Sequence, residues 1–104
     1  MTTVIELWGL FKSGMYADDE TPIDGFEKVV SALFCSEDVL IEKNLDVKSG
    51  KVPYDVDYLI TVRHEKIFGN ISFKELAFIL SVFCKTLRIK NDKGDELVYF
   101  TDAN

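Results

Sequence analysis

Val39-Leu40-Ile41-Glu42-Lys43-Asn44-Leu45-Asp46-Val47 and, after Lys48-Ser49-Gly50-Lys51, Val52-Pro53-Tyr54-Asp55-Val56-Asp57-Tyr58-Leu59-Ile60-Thr61-Val62 decide the fold. Both segments alternate with period two, the spacing at which successive side chains fall on opposite faces of a strand. In the first, Val39, Ile41, Leu45 and Val47 share one face, and Glu42, Asn44 and Asp46 share the other, with Leu40 an apolar exception at the start. In the second, Val52, Tyr54, Val56, Tyr58, Ile60 and Val62 lie together. If the four-residue loop sets Val47 opposite Val52, then Leu45 meets Tyr54, Ile41 meets Tyr58 and Val39 meets Ile60. The apolar faces then coincide, apart from Lys43 opposite Val56, and a one-residue slip would destroy the agreement. A β-hairpin is expected.

Upstream, the apolar spacing changes to that of a helix. Phe26, Val29, Val30, Leu33 and Phe34 recur at i, i+3, i+4, i+7 and i+8, the stripe of a helix lying on a core. Thr21 serves as N-cap with Pro22 in the first turn, or Asp24 caps with Glu27 three residues on. Before an acidic, loop-like stretch from Gly14 to Glu20, residues Thr3 to Phe11 read as a strand. Ile5, Leu7 and Phe11 point one way, and Val4, Trp8 and Leu10 the other. Apolar residues on both sides suit a central strand.

Downstream, Ile71-Ser72-Phe73-Lys74-Glu75-Leu76 carries the signature of a helix start. Ser72 caps, Glu75 completes a capping box and Ile71 staples onto Leu76. Leu76, Ile79, Leu80, Phe83 and Leu87 are expected to form its buried stripe. Arg88 to Lys90, the turn Asn91-Asp92-Lys93-Gly94 and Glu96 to Thr101 close the chain as a short hairpin or one broken strand. The order β-α-β-β-α-β, with the last strand doubled if the hairpin forms, is that of a ferredoxin-like α+β sandwich. Two helices would then cover one face of an antiparallel sheet whose first and third strands are central. A three-layer or barrel-like α+β arrangement using the terminal hairpin is the competitor.

A chain of 104 residues, 47% of them hydrophobic, is sized for a single domain, residues 1–104, around one core. Such a core needs no cofactor. Met1-Thr2-Thr3-Val4 lacks the basic start of a signal peptide, and no apolar run reaches the ~18 residues that span a bilayer. A cytoplasmic location is expected. The net charge of −6 disfavours nucleic acid and anionic membranes, since affinity for both comes from Lys and Arg. It favours a basic protein partner, because opposite potentials accelerate encounter; alternatively it serves solubility alone.

Groups able to do chemistry are sparse. His64 is the sole histidine, and its neighbour Glu65 would point to the opposite strand face, so no dyad forms. Cys35 and Cys84, each placed late in a helix, read as free, buried thiols lying toward opposite ends, too far apart for a disulfide. The glycines form no phosphate-binding pattern. Asp18, Asp19 and Glu20 make an acidic patch without the alternation of a calcium loop, and no metal is expected.

The hairpin register gathers the most suggestive constellation. Glu42, Asn44 and Asp46 on one strand would face Asp55 and Asp57 on the next, on the side turned away from the helices, with Glu42 opposite Asp57 and Asn44 opposite Asp55. Trp8 would emerge on the same side. An aromatic anchor rimmed by carboxylates has the anatomy of a docking surface for a basic protein; an ordinary solvated face, or one buried against a second copy in a homodimer, uses the same residues.

Ser72-Phe73-Lys74-Glu75-Leu76 opening an apolar helix, Leu87-Arg88-Ile89-Lys90-Asn91-Asp92 and the closing Leu97-Val98-Tyr99-Phe100 resemble the ends of small bacterial immunity proteins from contact-dependent inhibition and related polymorphic-toxin systems. The resemblance covers about a third of the chain. It implies a non-enzymatic cytosolic antitoxin that binds a toxin domain, often a basic nuclease, and blocks its active site. No residue role is carried over from it.

Overall fold

The computed structural model describes residues 1–11, 21–43 and 56–100. It is an α+β fold in which β1 (Thr2–Leu10), α1 (Pro22–Phe34), β2 (Val39–Lys43), β3 (Tyr58–Arg63), α2 (Phe73–Ser81), β4 (Cys84–Asn91) and β5 (Glu96–Phe100) follow one another. The strands form one antiparallel sheet in the order β2-β3-β1-β4-β5. The expected sandwich is compatible with this arrangement. The terminal segment is a full hairpin, and β5 lies at the edge.

Core packing follows the alternation. Ile5 and Leu7 of β1, Ile60 and Val62 of β3, and Leu87 and Ile89 of β4 are wholly buried in a single cluster with Phe26, Val30 and Phe34 of α1 and Leu76, Ala77 and Leu80 of α2. Both helices therefore cover the same side of the sheet. Thr21 caps α1 by accepting from the Asp24 N–H at 3.3 Å, with Pro22 in the first turn. Ser72 caps α2 by accepting from the Glu75 N–H at 3.1 Å, and its hydroxyl donates to the Glu75 carboxylate, also at 3.1 Å.

Four expectations are corrected. In the hairpin, Val39 faces Val62, Ile41 faces Ile60, Glu42 faces Leu59 and Lys43 faces Tyr58. That register stands two residues from the expected one. A two-residue shift keeps every side chain on its face, so the apolar pattern cannot distinguish the two pairings. The second helix ends at Ser81, and Leu87 reaches the core from β4, where it faces Leu7 of β1. Helical spacing at residues 83 and 87 was a coincidence that pairing with the central strand overrides. Ile79 accordingly lies at the surface, 36% exposed.

The third correction concerns Leu10, which packs on the core and not with Val4 and Trp8. Gly9 has φ +65, outside strand geometry, and this breaks the alternation between Trp8 and Leu10. A β-carbon at Gly9 would stand 2.9 Å from Cγ and Cδ of Lys85 and 3.0 Å from its Cβ, so the close strand approach also requires glycine. Finally, Cys35 is exposed. It caps the C-terminus of α1 in the left-handed region, φ 50 and ψ 42, while Cys84 is buried at the start of β4; both thiols are free. The Leu45, Val47, Val52 and Tyr54 pairings and the loop from Gly14 to Glu20 lie outside the described residues.

Candidate functional site on the uncovered sheet face

The strand residues that alternate with the core set form the second face of the sheet. One row across it runs Glu42, Leu59, Glu6, Arg88, Val98, and the next Leu40, Thr61, Val4, Lys90, Glu96; Trp8, Thr86 and Phe100 begin a third. Arg88 organises the centre. Its Nη1 lies 3.3 Å from Oε2 of Glu6, its facing residue on β1, and its Nε lies 3.5 Å from Oε1 of Glu96 on β5. The guanidinium carbon sits 5.9 Å from the centre of the Trp8 ring.

Exposed ion pairs each contribute little, about 0–1 kcal/mol. Here the Glu6 side chain is only 14% exposed, and two carboxylates fix one planar guanidinium beside an indole. The result is a half-buried tryptophan held in place before any partner arrives, which reduces the ordering cost of binding. Around it, Leu40 (57% exposed), Val98 (43%) and Phe100 (76%) present apolar surface on a face that neither described helix covers.

The expected site residues divide. Trp8 and Glu42 stand on the uncovered face, with Glu42 and Glu6 flanking Leu59 in one row. Asp57 does not oppose Glu42. It precedes β3, where its Oδ2 accepts from the Gly9 N–H at 2.7 Å and its own N–H donates to the Leu7 carbonyl at 3.1 Å. That carboxylate satisfies a backbone donor exposed by the Gly9 kink. Asn44, Asp46, Asp55 and the patch Asp18, Asp19, Glu20 lie outside the described residues. Glu6, Arg88 and Glu96 were missed, although Glu6 shares the period-two face of Val4 and Trp8; Arg88 was hidden because the residues before it were assigned to a helix.

His64 belongs to the opposite side of the sheet. It is 7% exposed, its Nε2 is 2.8 Å from the Thr3 hydroxyl, and its ring centre is 4.7 Å from that of Phe34. Its Nδ1 is buried and has no hydrogen-bond partner among the described residues. Burial lowers its pKa below the ordinary 6.5, assisted by the positive amino terminus and opposed by Asp92. Cys35 borders the same open groove of about 760 Å³, but its Sγ lies 3.8 Å from the Ala32 carbonyl, while His64 engages Thr3. Burial pushes the Cys84 thiol up to about 12, so it stays protonated at neutral pH.

Among the described residues, no three His, Cys, Asp or Glu side chains are grouped to hold a metal ion, and no helix is long and apolar enough to cross a membrane. Compared with known proteins, the chain matches no family model, no curated protein and no solved structure.

Proposed function

We propose that this chain is a non-enzymatic binding protein of the immunity type, built on a ferredoxin-like scaffold, whose uncovered sheet face docks onto a basic toxin domain and blocks its active site. The observation that carries the reading is Trp8, fixed by Arg88 between Glu6 and Glu96, on the central strand of a sheet face that bears exposed Leu40, Val98 and Phe100. An aromatic anchor surrounded by apolar contacts and a charged rim is what a protein interface requires. The net charge of −6 sets the sign of the partner. A nuclease cleft is cationic because it binds phosphates; Glu42 and the chain's overall negative charge would meet those cations while Trp8 enters the cleft and excludes substrate. The resemblance of the chain's C-terminal third to the ends of immunity proteins supports the same partner class.

The test is calorimetric titration of the protein, and of its Trp8→Ala variant, into purified basic nuclease domains of contact-dependent toxins, starting with any encoded beside this chain. Binding at ~50 mM salt that weakens at ~500 mM is expected, as opposite charges are screened. Loss of the anchor should weaken it at least tenfold, an effect of ~1.4 kcal/mol or more. Absence of a complex at both salts, or equal affinity for wild type and Trp8→Ala, would overturn the proposal.

A further inference from the structure

Two features outside the Trp8 centre meet at the edge of the sheet. β5, Glu-Leu-Val-Tyr-Phe, closes one side of the strand order and pairs only with β4 among the described residues. Sheet edges are usually guarded by a lysine, a proline, a bulge or a covering segment, because an open row of N–H and C=O groups recruits another strand. β5 contains neither lysine nor proline. Beside it, on the helix side, a groove of about 410 Å³ is lined by Lys74, Glu75, Phe78, Ile79 and Tyr99. Phe78 is 61% exposed and packs edge-on against Tyr99 at 6.4 Å, so apolar surface flanks the edge from above as well as below.

The hydrogen-bond phase of the β4–β5 ladder fixes which groups point outward. The Asn91 N–H donates to the Asp95 carbonyl at 3.0 Å, making that a hydrogen-bonded pair. Counting along the antiparallel register places Leu97 and Tyr99 in bonded pairs with β4, and leaves the backbone groups of Glu96, Val98 and Phe100 turned away from the sheet.

We propose that β5 is a homodimer interface, in which a second copy of this chain adds its own β5 antiparallel across a two-fold axis at Val98. In this register Val98 faces its counterpart, Glu96 faces the partner copy's Phe100, and Leu97 faces the partner copy's Tyr99. Every outward-turned pair is then a bonded pair, and no carboxylate opposes another. The single strand thus complements itself, as an isologous contact must.

Charge and area select a second copy as the occupant. The chain as a whole carries −6, but at this edge Lys74 stands beside Glu75, and Glu96 faces Lys90 and is paired with Arg88, so the carboxylates of the strip are matched by cations. A strongly cationic partner has nothing to meet here. The exposed portions of Phe78, Ile79, Val98 and Phe100 amount to roughly 400 Å² per copy at typical side-chain areas. With the strand backbone included, the total approaches ~1,000 Å², the lower end for a specific complex. The dimer is therefore weak and concentration-dependent, and it joins two uncovered faces into one ten-stranded surface.

Sedimentation velocity between about 5 and 500 μM, at ~50 and ~500 mM salt, tests this independently of the toxin-binding proposal. The mass should rise from that of the 11.9 kDa chain toward twice that value. It should rise further at high salt, which screens repulsion between two acidic copies; binding to a cationic partner has the opposite salt dependence. Val98→Lys sets two ammonium groups against each other and should weaken the dimer at least tenfold, while the exposed position leaves the core untouched. In the wild type, hydrogen exchange at the Val98 and Phe100 amides should slow as concentration increases. A monomer throughout, a dimer indifferent to Val98→Lys, or a dimer abolished by Leu59→Lys while those amides stay unprotected would overturn the interface.

Discussion

Replacing Gly9 by alanine should destabilise the protein by about 2–5 kcal/mol, and the structure supplies its own control. Gly9 and Gly69 share φ +65, so each substitution places an L-residue at the same positive φ, a strain of ~1–2 kcal/mol in the left-handed region. At Gly69 the nearest atom to an added β-carbon is Cγ2 of Ile71 at 3.9 Å, an ordinary contact; at Gly9 three Lys85 atoms lie within 3.0 Å. Overpacking of that kind adds ~1–3 kcal/mol. Urea denaturation followed by tryptophan fluorescence reads both, and Gly9→Ala should cost more than Gly69→Ala because of the Lys85 contact. Lys85→Ala in the Gly9→Ala background removes Cγ and Cδ and should recover part of that excess, a coupling visible in a double-mutant cycle. Equal losses at the two glycines, or no relief from Lys85→Ala, would refute the account of how β1 turns Leu10 to the core while leaving Trp8 outside.

Three further outcomes follow from the same geometry. Asp57→Ala orphans the Gly9 N–H and should cost ~1–3 kcal/mol in thermal or urea unfolding, whereas a carboxylate used only for docking would cost nothing in the free protein. His64 has its folded pKa below 6.5, so the unfolded chain binds more protons at mildly acidic pH; its stabilising contribution is complete above pH 6.5 and is lost as pH falls from there through the folded pKa. Equilibrium unfolding of His64→Phe should show a flatter profile than wild type across that interval, and parallel profiles would contradict the assignment. A maleimide reagent should label Cys35 alone in the native state, because Cys84 is buried with its thiol held at about 12; mass spectrometry showing modified Cys84 before unfolding would count against the packing at the start of β4.

The sequence made the elements and their faces readable wherever one period dominated. The caps Thr21 and Ser72, the stripe Phe26-Val30-Phe34 and the alternation around Ile60 and Val62 were each specified by local chemistry, and each reappears in the packing. What failed was set by distant partners. The register of β2 on β3 was open to a two-residue shift because both choices bury the same faces. Residues 82–87 satisfied a helical spacing, and only pairing with β1 decides for a strand. Arg88 therefore went unnoticed as the residue that joins Trp8, Glu6 and Glu96. Asp57 looked like a surface acid until the kink at Gly9, itself invisible in a run of strand formers, supplied a donor for it.

The proposed docking face is tested most directly by amide chemical-shift mapping of the isotope-labelled protein bound to a basic toxin domain. The account predicts shifts concentrated at Val4, Glu6, Trp8, Leu59 and Arg88, with the exposed side of α1 unaffected. Perturbations confined to the helices, with the Trp8 indole signal unmoved, would contradict it.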